Sequence, residues 1–176
     1  MFEKPVVRFC NTLSRKDVVD LCQLKEQHWP KGLKKQIFWW FFLTNKQDRL
    51  VLIENSLKKI GFLRLKLRKI MQDSRIKSAY TISELCVDKE LQKQGLGTKI
   101  LKKSQAILKK EQISGYLLSE DIYKNFYNKL GWTPIKNVIT LDSNMGKEKV
   151  LDKNKTCYFY NLKDFSKNIK LIGKIF

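Results

Sequence analysis

The stretch Glu84-Leu-Cys-Val-Asp-Lys-Glu-Leu-Gln-Lys-Gln-Gly95-Leu-Gly97-Thr-Lys-Ile-Leu101 constrains the fold of this chain more than any other. It reads as an apolar strand, a turn opened by glycine, and a basic amphipathic helix. Ile100, Leu101, Ile107 and Leu108 recur at helical spacing, and Lys99, Lys102, Lys103, Lys109 and Lys110 fall largely on the solvent side. A strand that feeds a helix so directly calls for helices layered on a sheet, which is an α/β class. At 176 residues, with three prolines and eight glycines, the chain suits one domain that buries a core without staples.

The remaining elements are read in the same way. A short strand near Val6-Phe9 precedes Ser14-Arg-Lys-Asp17, a capping box with Asp in place of the usual Glu or Gln, and a first helix that buries Val18, Leu21 and Cys22. Leu33 to Leu43 reads as a second helix, although its crowded aromatics leave a strand open. Leu50-Ile53 and Ile60-Leu67 read as antiparallel strands, the second with Arg64, Lys66 and Arg68 alternating onto one wet face. Tyr80-Val87 leads into the glycine turn. Ile113-Leu118 is a further strand, Asp121 to Leu130 a helix closed by Gly131, and strands are expected near Val138-Leu141 and Thr156-Tyr160. From Lys163 to Phe176 the chain continues with apolar residues that fit an extra strand, a covering helix or a dimer contact equally well.

Composition narrows the classes. Cys10, Cys22, Cys86 and Cys157 are scattered without a CxxC pair, which points to reduced thiols and away from a disulfide frame or a zinc site. Glu3, Lys4 and Arg8 interrupt the N-terminal apolar residues, and Ile37-Leu43 is far shorter than the roughly 20 residues that span a bilayer. A cytoplasmic location with no membrane partner is the expectation. The net charge of +19 invites a nucleic-acid reading. Lysine outnumbers arginine, however, and no block or tail concentrates the charge, so general surface solvation is favoured while an anionic ligand suits the surface.

The glycine turn carries the first chemistry. Gly95 and Gly97, two residues apart before a helix, allow successive backbone N–H groups to face one concavity at the positive end of the helix dipole, a cradle for a diphosphate. A dinucleotide fingerprint would need a glycine where Ile100 stands, and a P-loop would need lysine where Thr98 follows Gly97. Gln92-Lys-Gln-Gly95-Leu-Gly97 matches the [RQ]xxGx[GA] signature in full, and Phe126-Tyr127-Asn-Lys-Leu-Gly131-Trp132 matches a second string, one helix and one strand later. With Ile60-Gly61-Phe62 as a third element, residues 5 to 160 resemble the GNAT family of acetyl-CoA-dependent N-acetyltransferases.

That resemblance implies a mixed, mostly antiparallel twisted sheet of about six or seven strands, flanked by about four helices and splayed between the fourth and fifth strands. It implies acetyl-CoA as donor and no metal. The backbone of Gln92, Lys93, Gln94, Gly95, Leu96, Gly97 and Thr98 would hold the pyrophosphate, and Leu85, Cys86 and Val87 the pantetheine arm, with the N–H near Cys86 facing the thioester oxygen. Tyr127 would be the general acid at the departing thiolate, and Glu84 a candidate base acting directly or through water. His28 lies in a loop that borders the acceptor pocket of the family. Glu120 stands where many members carry an asparagine, which puts anchoring on that side in question. The acceptor would be a primary amine on a small molecule or a protein, taken up by a monomer or homodimer. Acetylation of an aminoacyl-tRNA and a catalytically silent CoA-binding module are the alternatives.

Overall fold

Among the described residues the strands and α-helices follow in the order β1 (Val6–Phe9), α1 (Arg15–Glu26), α2 (Leu33–Leu43), β2 (Arg49–Glu54), β3 (Lys59–Gln72), β4 (Arg75–Val87), α3 (Leu96–Lys110), β5 (Ser114–Glu120), α4 (Lys124–Lys129), β6 (Thr133–Ile135), β7 (Ile139–Leu141), β8 (Glu148–Val150), β9 (Lys155–Tyr160) and β10 (Ile169–Ile172). The computed structural model describes residues 4–135, 138–141, 148–150, 155–162 and 169–173. The class is the expected one, α/β with a mixed, mostly antiparallel sheet and four α-helices among the described residues. Ten strands are described where about six or seven were expected; β7 is the strand expected near Val138–Leu141, and the short β6, β8 and β10 are the additions. The chain divides into two compact units, Met1–Lys66 with Ser83–Ser104, and Leu67–Ile82 with Gln105–Phe176.

In the first unit the capping box forms as expected. Asp17 N donates to Ser14 Oγ at 3.0 Å and Ser14 N to Asp17 Oδ2 at 3.0 Å, which satisfies donors at the start of α1. Val18, Leu21, Cys22 and Leu24 of α1 pack with Trp40 of α2, Leu50 and Leu52 of β2, Phe62 of β3, and Cys86 of β4. The segment Leu33–Leu43 is helical. Its inner arc, Gln36 and Trp40, is buried, and Gln36 Nε2 ties the preceding loop by donating to the Trp29 carbonyl at 2.7 Å. The outer arc leaves Phe38, Trp39, Phe41 and Phe42 exposed. β1, β2 and the start of β3 form an antiparallel ladder, with Val6 opposite Leu52 and Leu52 opposite Phe62.

The wet face expected on β3 is a correction. Arg64 is 1% exposed and Lys66 3%. Arg64 lies under α2, its guanidinium 4.2 Å from the Trp40 ring centroid, and donates to Thr44 Oγ1 at 3.1 Å. Period-two alternation reports that side chains take opposite faces; it does not report that both faces are covered.

Along the strand order β6-β9-β5-β4-β3-β10-β7-β8, the second unit takes from β3 only Leu67–Gln72 and from β4 only Arg75–Ile82. Its core gathers Ile70, Ala79, Tyr116, Cys157, Phe159, Ile169 and Leu171. β3 and β4 are joined through Asp73 and Ser74, both left-handed at φ 48° and 63°, the backbone of a two-residue hairpin turn. β5 pairs in parallel with β4 only over Ala79–Thr81 against Ser114–Tyr116, and this early end of the ladder is the expected parting of the fourth and fifth strands. Of the C-terminal segment, Ile169–Ile172 is an extra strand, antiparallel to β3 and parallel to β7; residues 163–168 and 174–176 lie outside the described residues. Most of the Asp142–Lys155 loop also lies outside them.

Candidate active site

β4 ends in the residues that the sequence singled out. Glu84 sits inside the strand at φ 59°, a left-handed conformation that costs a residue with a Cβ about 1–2 kcal/mol. Its carboxylate explains how the conformation is held. Lys25 of α1 donates to Oε1 at 2.7 Å, and Arg64 Nη1 lies 3.3 Å from Oε2. Burial pushes the Glu84 carboxyl upward, but Arg64, Lys66 and Lys25 together outweigh it and hold the group down at about 2. Cys86 turns to the same side and is fully buried in the α1 cluster; its thiol is pushed well up by burial and by the Glu84 charge.

The exit from β4 is pinned. His28 Nε2 lies 2.8 Å from the Val87 carbonyl, so the sole histidine is a tether between the α1–α2 loop and β4. Asp88 N donates to the Ile60 carbonyl at 2.8 Å, Lys58 pairs with the Asp88 carboxylate at 2.7 Å, and Lys89 N donates to Gln27 Oε1 at 3.0 Å. Gly61 on β3 is the close-packing point. A Cβ there would lie 2.9 Å from the Cys86 carbonyl oxygen and 3.0 Å from Ile100 Cδ1.

Gln92, Lys93, Gln94 and Gly95 then form an exposed turn, in which Lys93 and Gly95 are left-handed at φ 61° and 75°. Alternation of this kind curls the chain into a concave nest of N–H groups. α3 begins at Leu96 and runs for 15 residues, anchored by the buried Leu96, Ile100 and Leu101; Gly97 and Thr98 occupy its open first turn. Nothing lies within 4 Å of a Cβ placed on Gly95. Exposed donors, an open approach and a helix N-terminus fit a diphosphate ligand such as that of coenzyme A.

Tyr127 belongs to the second unit. The expected helix from Asp121 is a 3₁₀ turn over Asp121–Tyr123 followed by the short α4. Tyr127 is half-buried, its ring 5.1 Å from Phe126 and 5.3 Å from Tyr158. Burial pushes the phenol up to about 12, with the Ser119 hydroxyl pulling the other way. Its carbonyl accepts from Leu130 N at 3.0 Å and Trp132 N at 3.1 Å, which closes the turn at Gly131. Glu120 is exposed at the end of β5. Among the described residues no His, Cys, Asp and Glu group forms a metal site.

Glu84, Leu85 to Val87 and Gln92 to Thr98 thus share one unit, with Tyr127 in the other. Sequence reasoning missed Lys25 and Arg64. The available signal was the acid itself: a glutamate in an apolar strand needs a cationic partner, and the neighbouring strand offered Arg64.

Comparison with known proteins completes the picture. The acetyltransferase (GNAT) domain profile matches residues 12–142. No curated protein matches the chain in sequence. Among solved structures, Escherichia coli ElaA superposes with a TM-score of 0.64 at 15% identity, over 90% of this chain and 99% of that one. An aminoglycoside 6'-N-acetyltransferase complexed with coenzyme A gives 0.61 at 12% identity, over 92% and 99%. The ribosomal-protein-S18-alanine N-acetyltransferase of Escherichia coli gives 0.58 at 14% identity, over 97% and 95%. The profile spans most of the chain, and these structures share its fold. With the glycine turn ahead of α3 and the Tyr127 helix in their family order, the chain belongs to the GNAT acetyltransferases.

Proposed function

We propose that the chain moves the acetyl group of acetyl-CoA to a primary amine, on a small molecule or a protein, by direct attack in a ternary complex. The observation that carries this reading is the exposed Gln92 to Gly95 turn, with two left-handed residues directly ahead of a 15-residue helix. Acetyl-CoA supplies the activated acyl group. Backbone N–H groups from Gln92 to Thr98 hold its diphosphate, and the backbone of Leu85, Cys86 and Val87 runs beside its pantetheine arm. The N–H near Cys86 donates to the thioester oxygen, where negative charge develops as the amine attacks. Tyr127, protonated at every working pH, donates to the departing sulfur.

Glu84 takes a different part from the base that its position suggests. A carboxylate held at about 2 is ionised yet draws a proton from an ammonium poorly, so the amine attacks from its neutral fraction, having given up its proton in solution before it binds. Glu84 is instead a positioning residue. Its ion pairs with Lys25 and Arg64 offset the strain at φ 59°, and that conformation aims the N–H groups that follow it in β4.

Calorimetry with acetyl-CoA and thiol release across a panel of amines test the proposal. Absence of acetyl-CoA binding would overturn it, and undiminished turnover by Tyr127→Phe would remove the acid. Glu84→Gly keeps the left-handed backbone without strain, so it should outperform Glu84→Ala in kcat at comparable folding. Equal loss in both variants would return Glu84 to the base role.

A further inference from the structure

The α2 helix shows the molecule an unusual outer surface. Its inner arc is fixed by Gln36 and Trp40 in the core, so the outer arc is not a loose core face. On that arc Phe38 is 60% exposed, Phe42 58% and Phe41 57%, with Trp39 and the nearby Trp29 also exposed. The rings organise one another: Phe38 and Phe42 stack at 5.9 Å with 10° between planes, and Trp39 meets Phe42 edge-on at 5.5 Å. Lys34 and Lys35 stand exposed at the start of the same helix, with Lys31 just before it. Between Glu26 and Asp48 the sequence has four lysines and no acidic residue.

We propose that this face docks on an anionic lipid surface. Four exposed aromatic side chains beside lysines match the interfacial pattern, in which rings enter the headgroup boundary while ammonium groups meet lipid phosphates. At 11 residues α2 is roughly 16 Å long, too short to cross a bilayer and long enough to lie along its surface. Charge decides between occupants. A second copy docked face to face would gather Lys31, Lys34 and Lys35 of both copies into one interface with no acidic residue between Glu26 and Asp48 to answer them, in a molecule already at +19. Nucleic acid fits less well, because the segment has no arginine and its rings pack on each other instead of standing free for base stacking. An anionic membrane satisfies both halves of the surface at once.

Co-sedimentation with vesicles tests the proposal. The full chain is mixed with vesicles of equal parts phosphatidylglycerol and phosphatidylcholine, and with vesicles of phosphatidylcholine alone. Retention is expected on the anionic vesicles, to fall with added salt, and to drop about tenfold or more in a Phe38→Ser/Phe42→Ser variant whose melting temperature is unchanged. Trp39→Phe should remove part of a blue shift in tryptophan emission seen on binding. No retention on anionic vesicles at low salt overturns the proposal. So does equal retention of the double variant, which would leave net charge acting alone. A dimer in sedimentation velocity that the double variant dissolves, or tRNA binding that the variant loses, would assign the face to those partners instead.

Discussion

Replacing Gly61 by alanine adds one methyl group where the structure leaves no room. The new carbon would lie 2.9 Å from the Cys86 carbonyl oxygen, 3.0 Å from Ile100 Cδ1 and 3.3 Å from Val87 Cγ2. The two side-chain atoms can give by rotation, but the carbonyl belongs to β4 and yields only if the strand moves. Overpacking of this kind costs about 1–3 kcal/mol, while reduced freedom of the unfolded chain returns about 0.4–1 kcal/mol. A net loss of about 1–2 kcal/mol follows, which for a chain of this size lowers Tm by roughly 2–8 °C. The displacement falls on Cys86, so the affinity for acetyl-CoA should weaken as well. Gly95→Ala is the matched control for stability alone, because Gly95 belongs to the proposed diphosphate cradle. Its Cβ meets nothing within 4 Å, and at φ 75° it carries only a left-handed penalty of about 1 kcal/mol. Urea titration gives both free energies, and calorimetry gives the acetyl-CoA affinities. A Gly61→Ala protein as stable as the parent, or more stable, would refute the close approach of β3 to β4.

Acid should unfold the protein through its paired carboxylates. Glu84 sits at about 2 in the folded chain against about 4.5 unfolded, so its contribution, roughly 3 kcal/mol, is full above about pH 4.5 and is lost as pH falls towards 2. Asp17, held well down first by Lys59 and then by Ser14, acts in the same direction, and urea midpoints across that range should fall less steeply in Glu84→Gln. Arg64→Ala leaves the Glu84 carboxylate short of a buried partner and should cost about 3 kcal/mol or more, part of it recovered by adding Glu84→Gln; no recovery in the double variant would break the link. Because burial keeps the Tyr127 phenol protonated up to about pH 12, kcat should show no loss from this residue between about pH 8 and 10, where an ordinary tyrosine begins to ionise. The four cysteines are buried, with Cys10 and Cys22 pushed up to about 11 by burial, so native protein should not react with Ellman's reagent and urea-unfolded protein should react at all four.

What the sequence made legible was mostly local. The Ser14 and Asp17 capping box and the Gly95 turn are set by residues within a few positions of each other and form as read, while α3 begins at Leu96, so that Gly97, read as part of the turn, already lies in the helix. The pairing around Glu84 was hidden because its partners stand 59 residues away at Lys25 and 20 away at Arg64, with no local pattern to connect them. The β3–β4 hairpin was hidden for another reason: Asp73-Ser74 turns without glycine, so the usual chemical mark of a two-residue turn is missing. α2 misleads in the opposite sense. Its crowded aromatics leave a strand open, yet the segment is a helix of whose five aromatic residues only Trp40 is buried.

The two-residue turn at Asp73-Ser74 also fixes how the gene for such a chain can change. β3 and β4 are neighbours over strands of 14 and 13 residues, and side chains alternate with a period of two. One residue inserted into either strand would exchange the faces of everything between the insertion and the next turn. Glu84 would then be presented away from Lys25, and Arg64 away from Trp40. Unless a bulge absorbs it, a single-residue insertion between Arg64 and Glu84 should therefore be tolerated less well than a two-residue one, which makes that spacing as much a part of the site as the residues themselves.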